Sequence, residues 1–290
     1  MNIRRKNIIL VLLLTLGGIP LLAQSAWVSE KGKGYFKAST WWVIADAHFT
    51  GNGGIDPNIT SGVVNNSIYA DYGITNRISA IVYFPFYSKA YNNNLVSATT
   101  GEVIQDGEVV NGIGDTDISI NVGIIQNKPV VWSASLTLGL PLGIDDGGSQ
   151  GTLQTGDGEF NQMIRTQVGT GFKLANIDFY TQGFVGYNNR TNGFSDEFRF
   201  GLELGATFWE RRILASMRLI GIESLQNGDS MAPINSTSLF ANNAESLAFS
   251  PEIAYVFNDK WGFSANLGKA ISGRLIFANT TYSVGAFLKL

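Results

Sequence analysis

The chain contains one histidine and no cysteine, and this inventory limits the chemistry open to it. Thiolate nucleophiles, thiolate metal sites and structural disulfides are excluded. His48 is the single imidazole available as a general base, and Phe49, Thr50 and Gly51 follow it. A serine–histidine dyad oriented by asparagine would be triad chemistry in a membrane setting, but no serine follows His48 at close spacing. A loop histidine at an interface fits better, and no enzymatic activity is expected. The acidic stretches Asp145-Asp146-Gly147-Gly148 and Asp157-Gly158-Glu159 offer oxygen ligands for Ca²⁺ without the alternation of an EF-hand loop. They read as solvated loops, with loose divalent binding beside lipopolysaccharide as the alternative. Gly112-Ile113-Gly114 is too short to cradle a phosphate. No metal and no cofactor is expected.

A second group of residues could set a field rather than perform a reaction. Asp117, Arg165, Gln167, Lys173, Arg199, Glu203, Arg218 and Glu252 are candidates to line an interior, because each falls on the polar row of an alternating segment. Were Trp209-Glu210-Arg211 a tight turn, Glu203 and Arg218 would be cross-strand neighbours on one face. Such pairs support register by roughly 0.2–1 kcal/mol. They would also shape a transverse field along a solute path, as charged rings do in channels.

The elements that must position these residues are strands. Thr116, Ile118, Ile120, Val122 and Ile124 form an apolar row against Asp115, Asp117, Ser119, Asn121 and Gly123. Trp132 to Leu142 repeats the pattern, as do Phe198 to Phe208 and Tyr282 to Leu290. Strands are expected to start near Gly34, Val63, Arg77, Gly114, Val130, Asn161, Ile177, Asp196, Arg212, Glu245, Trp261 and Asn279.

Tight turns alternate with long polar loops along this series. The tight ones are Gly73-Ile74-Thr75-Asn76, Asn127-Lys128-Pro129, Ala175-Asn176, Trp209-Glu210-Arg211 and Asn258-Asp259-Lys260. The long ones run from Phe49 to Gly62, Ala90 to Ile113, Ile144 to Phe160, Asn189 to Ser195 and Leu225 to Ala244, with a shorter one from Gly273 to Ala278. This pattern predicts an all-β fold: a transmembrane antiparallel up-and-down β-barrel of about 12 strands, with short periplasmic turns and long extracellular loops. Trp41, Trp42, Tyr72, Phe84, Phe86, Tyr187, Trp209, Tyr255, Phe257 and Trp261 suit aromatic girdles at its two rims. A soluble barrel would bury the apolar rows inward instead. Against it stand the strand lengths, the girdles and opposite rows crowded with Gly, Ser, Asn and Thr.

Composition agrees with a membrane barrel. Charged residues make up 15% of the chain, against about 25% in soluble domains. The net charge of -3 gives no reason to expect nucleic acid as a partner. Arg4, Arg5 and Lys6 precede an apolar run from Ile8 to Leu22, and small residues follow at Ala23 to Ala26. That is the layout of a secretory signal peptide over residues 1–23, leaving 24–290 as a single barrel domain. The run is shorter than the ~20 residues a membrane-spanning helix needs.

Several segments resemble a known family. Tyr72-Gly73-Ile74-Thr75-Asn76-Arg77 is similar to its first periplasmic turn, and Phe84-Pro85 to the strand end that follows. Gly112-Ile113-Gly114-Asp115 resembles its Gly-x-Gly-Asp entry into the next hairpin. Leu138-Gly139-Leu140-Pro141-Leu142-Gly143 resembles its Leu-Pro-Thr-Gly strand end, with Leu142 where threonine is usual. Thr155-Gly156 and the segment from Ser250 to Tyr255 continue the likeness to the outer-membrane barrels grouped as the "MetA-pathway of phenol degradation" family. The resemblance implies an outer-membrane barrel of a Gram-negative bacterium that passes or binds small, often hydrophobic or aromatic, compounds. It carries no substrate-contacting residue, since its signatures fix turn and strand-end geometry.

The expected partners are outer-membrane lipids and lipopolysaccharide, the barrel assembly machinery, which reads C-terminal strands such as the one ending at Leu290, and a small solute. A channel or binder is one reading. A structural or surface-interaction barrel with a closed lumen is another. About 12 strands leave less room than an open porin has, so a loop or the stretch from Trp27 to Lys33 would be able to fill the bore.

Overall fold

The computed structural model describes residues 25–229 and 239–290. The expected signal segment and part of the loop from Leu225 to Ala244 lie outside those residues.

Alternating sequence becomes a closed antiparallel barrel of twelve staves. In chain order the strands are β1 (Gly34–Phe49), β2 (Ile55–Thr75), β3 (Ile78–Asn92), β4 (Leu95–Val96), β5 (Val103–Gln105), β6 (Val109–Gly112), β7 (Thr116–Ile125) and β8 (Val130–Leu140). There follow β9 (Asn161–Leu174), β10 (Ile177–Asn189), β11 (Glu197–Phe208), β12 (Ile213–Ser224), β13 (Glu245–Val256), β14 (Trp261–Arg274) and β15 (Thr281–Lys289). Neighbours in sequence pair with one another, and β1 closes the ring on β15. β6 and β7 are successive pieces of one stave, both paired with β3 and parted by the Gly-Asp entry at Gly114 and Asp115. β4 and β5 form a small separate hairpin in the loop after β3.

The period of two sorts side chains between two media. On β7, Ser119 and Asn121 are buried while Ile118, Ile120 and Val122 are exposed. Ile164, Leu202, Leu136 and Val284 are likewise turned outward, Leu202 being 64% exposed. A contiguous apolar surface of this extent has no place in water and suits hydrocarbon. Two of the tight turns are built on the left-handed backbone region: Ala175 and Asn176 at φ 47° and 65° form a two-residue hairpin, and Trp209, Glu210 and Arg211 all have positive φ. Both residues of such a two-residue turn sit in the mirror-image conformation that matches strand twist.

Four features depart from the sequence reading. The stretch from Phe49 to Gly62 is mostly strand, because β1 and β2 pair out to Phe49 and Ile55 and leave a turn over residues 50–54. The loop from Ala90 to Ile113 contains β4, β5 and β6 rather than being structureless. Trp41 faces the interior, where its indole N–H donates to Tyr83 Oη at 3.3 Å. It lies on the inward row with Tyr35 and Lys37, whereas Trp42 beside it stacks outside on Tyr282. The interior is also not polar throughout. Near the short-turn end, Tyr35, Tyr69, Ile81, Leu214, Val256 and Phe287 pack together as a buried cluster.

Candidate functional site

The inward face of the barrel is the candidate site, and the N-terminal stretch fills part of it. Ser25 and Ala26 are 3% and 0% exposed. The Ser25 carbonyl accepts from Asn121 Nδ2 at 3.0 Å, Gln167 Nε2 at 3.3 Å and Ser133 Oγ at 3.4 Å. The Ala26 N–H donates to Gln182 Oε1 at 3.0 Å, and its carbonyl accepts from Gln126 Nε2 at 3.1 Å. Trp27 sits edge-on to Tyr180. Further along, the Gly32 N–H donates to the Gly73 carbonyl and the Lys31 N–H to Asn76 Oδ1. The segment therefore runs from the β2–β3 turn to the wall made by β7 to β10. Every backbone group removed from water on the way needs a partner, and the amides of Gln167, Gln182, Gln126 and Asn121 provide them.

Two glycines admit this segment. A side chain at Gly73 would collide with the backbone carbonyls of Ser29 and Glu30. One at Gly169 would sit 2.7 Å from the Trp27 ring.

Above the segment lies a chain of alternating charges. The Glu203–Arg218 register brings Arg218 Nε to 3.0 Å from Glu203 Oε2. Arg218 also donates to Glu252, whose other oxygen is 3.3 Å from Lys37 Nζ. The Tyr180 hydroxyl donates to Glu203. Lys37 on β1 and Glu252 on β13 are separated by two staves in the wall, so their contact is made inside the barrel. Paired with opposite charges, the buried carboxylates avoid the several kcal/mol that an isolated charge costs.

The remaining sequence-derived candidates fall into separate places. Arg165 lies over the Phe184 ring at 3.6 Å, a cation–π arrangement. Gln167 holds the N-terminal segment, as described. Arg199 pairs with Glu197 two residues before it, at 2.5 Å. Asp117, near the long-loop end of β7, is exposed, and Lys173 is exposed close to the Ala175-Asn176 turn. Neither joins the central charge chain.

A further network at the long-loop end has Arg190 at its centre. Its guanidinium contacts Glu159, Glu197 Oε1 at 2.9 Å and Asp157 Oδ2 at 3.5 Å. Asp115, expected on a polar wall, instead anchors the loop after β8. Its carboxylate accepts the N–H groups of Gly143 at 2.9 Å and Asp157 at 2.6 Å. Burial, and then the charge of Asp157, push the Asp115 carboxyl up to about 7. Asp196 behaves oppositely: burial opposes ionisation, but the N–H of Arg190 and the side chains of Asn227, Tyr187 and Asn189 outweigh it and hold the carboxyl at about 2.

Sequence spacing did not indicate Lys37, Tyr180, Gln182 or the Arg190 network. Lys37 and Gln182 sit on inward rows of alternating strands, so a signal for them is present in the sequence. Arg190 lies in a loop, where no periodicity applies. His48 lies near the end of β1, with Nδ1 buried and, among the described residues, without a hydrogen-bond partner. No cluster of three or more His, Asp and Glu fit to hold a metal occurs among the described residues.

The arrangement defines the class of the fold, a transmembrane β-barrel whose lumen carries polar and charged groups. Solved structures share the architecture. An outer membrane channel from Pseudomonas putida F1 is similar over 93% of this chain and 100% of its own, with a TM-score of 0.55 at 11% identity. The NanC porin matches over 88% of this chain and 100% of its own, with a TM-score of 0.51 at 6% identity. The β domain of the Bordetella autotransporter BrkA covers 89% of this chain and 99% of its own, at 0.51 and 14% identity. At these identities the likeness is one of fold. No family model matches the chain, and no curated protein matches it.

Proposed function

We propose that the chain is an outer-membrane channel or binder that passes a small solute passively, with no cofactor and no covalent step. In this reading a signal peptide over residues 1–23 is removed on export, the short turns face the periplasm and the long loops face outward. One observation carries it: part of the lumen is occupied by a separate length of chain, held by side-chain amides of the wall. Ser25 to Lys33 runs from the β2–β3 turn to the β7–β10 side of a lumen whose inward face also carries Lys37, Arg218, Glu203, Glu252, Arg165 and Gln167. Neutral amide contacts are individually modest and can be remade with water, which suits a segment that leaves the lumen as a solute passes.

The similarity to the phenol-degradation barrels extends the proposal to solutes with a hydrophobic or aromatic face. The interior rings of Tyr35, Tyr69, Tyr83 and Phe287 support that extension. The aromatic layer equally supports the second reading, a closed structural barrel, since it packs like a core.

Liposome swelling separates the two. Purified protein lacking Ser25 to Lys33, reconstituted into vesicles, is expected to speed the entry of a small neutral solute such as glycerol above the rate of protein-free vesicles. Equal rates would favour the closed barrel.

A further inference from the structure

At the long-loop end, the interior opens into a cavity of about 400 Å³ between the tall β2–β3 wall, the loop after β8 and the residues around Phe240 and Phe277. That volume lies within the ~300–1,000 Å³ usual for small-molecule sites. We propose that this vestibule is a binding site for a neutral, polyhydroxylated ligand with one apolar face, of the size of a mono- or disaccharide. The proposal rests on the solute-handling reading and names the class of solute.

The lining supplies three kinds of group. Tyr91, Phe240 and Phe277 are rings. Tyr91 is held in place by its packing against Gly62, where any side chain would collide with it. The side-chain amides of Asn93, Gln105 and Gln150 also line the cavity, and among the described residues none of them has a hydrogen-bonding partner within the protein. Each amide offers both a donor and an acceptor, as does each ligand hydroxyl. The third kind is acidic: Asp106 and Glu108 line the cavity, and no lysine or arginine is among the described lining residues. Glu108 is held ionised by the hydroxyl and N–H of Ser149, which keep its carboxyl below the usual range.

Two other ligand classes fit less well. An anionic solute would meet two carboxylates and no cation, which is repulsive. A wholly apolar solute would strip water from the amides and leave them unpaired, at a cost per group that exceeds the gain from a hydrogen bond. A sugar ring satisfies both halves of the lining, laying its C–H face on a ring while its hydroxyls replace the water on the amides.

The test is titration calorimetry on the full-length protein in an amine-oxide detergent, since maltoside headgroups would compete. The probes are maltose, glucuronate and benzyl alcohol. Maltose is expected to bind about tenfold or more tightly than either of the others. Gln105→Ala and Phe277→Ala should each weaken it about fivefold or more, a factor typical of one lost hydrogen bond or ring contact. Gln105 is exposed, so its substitution leaves folding intact should Phe277→Ala not assemble. Absence of heat with maltose, glucuronate or benzyl alcohol binding as tightly, or unchanged affinity in Gln105→Ala would each overturn the site. Binding in a protein that fails to speed solute entry would leave this site standing and remove the channel reading. Solute entry without maltose binding would do the reverse.

Discussion

At the short-turn end the lumen is filled by rings and by a length of the chain itself, held through neutral amides. Towards the long-loop end it is narrowed by ion pairs, from the Lys37–Glu252–Arg218–Glu203 chain up to the Arg190 network. The two closures have different physical characters. Neutral amide contacts are individually modest, about 1 kcal/mol each, and all can be remade with water once the segment leaves. Ion pairs enclosed by the wall cannot be broken one partner at a time without leaving a charge in a low-dielectric interior. The difference makes the short-turn closure a candidate gate and the charge chain a fixed part of the frame.

The largest effect should follow from breaking the frame. Arg218→Ala removes the guanidinium that lies between Glu203 and Glu252 and leaves the two carboxylates facing each other. The expected loss is about 3–5 kcal/mol, the usual cost of orphaning a buried charge. It would be measured as a lower urea midpoint for the detergent-folded protein. A midpoint unchanged from the parent would mean that water already screens the chain.

Next in size is the outer face. Leu202→Arg puts a cation into hydrocarbon beside Glu203 on the same strand and should cost about 2–4 kcal/mol at mid-membrane depth. Folding yield into vesicles is the readout. Normal folding would show that this stave faces water or that the register of β11 is shifted by one.

These two residues show how much was legible beforehand. Strand number, connection order and the Glu203–Arg218 pairing follow from period-two alternation and turn chemistry, both of which are local. Trp41, expected in a girdle, faces the interior, because aromatic residues suit either medium: a girdle outside or a packed layer inside. Gln167 was legible as an inward residue, but not its task of holding Ser25, because a contact between positions so far apart in sequence leaves no periodic trace. The same holds for Lys37 with Glu252, and for Asp115, whose place on an apparent polar row concealed its role as a loop anchor.

A smaller and more selective effect is expected at the gate. Gly73→Val places a side chain against the backbone of Ser29 and Glu30, so the N-terminal segment should lose its seat while the wall stays paired. Limited proteolysis of the folded protein should then cut within residues 25–33 before any barrel strand. Protection equal to the parent would mean that the segment is held elsewhere.

The smallest effect concerns pH at the opposite end. Asp115 is raised to about 7 in the folded state, above the ~3.9 of a free aspartate. The seated loop thus binds a proton that the released loop gives up. The resulting stabilisation is complete below about pH 4 and declines as pH rises, until it is gone above about pH 7. Amide exchange at Gly143 and Asp157, corrected for its intrinsic pH dependence, should be better protected at about pH 5 than at about pH 8. Asp115→Asn should remove that difference; a difference that persists would assign it to another group.

The central claim, that a removable segment of chain closes a conducting lumen, is tested most directly by single-channel conductance in planar bilayers. The full protein would be compared with one lacking Ser25 to Lys33. The account predicts small or no steps for the full protein and steps several times larger for the truncated one. Silence from a truncated protein that has folded, or steps equal to those of the full protein, would contradict it.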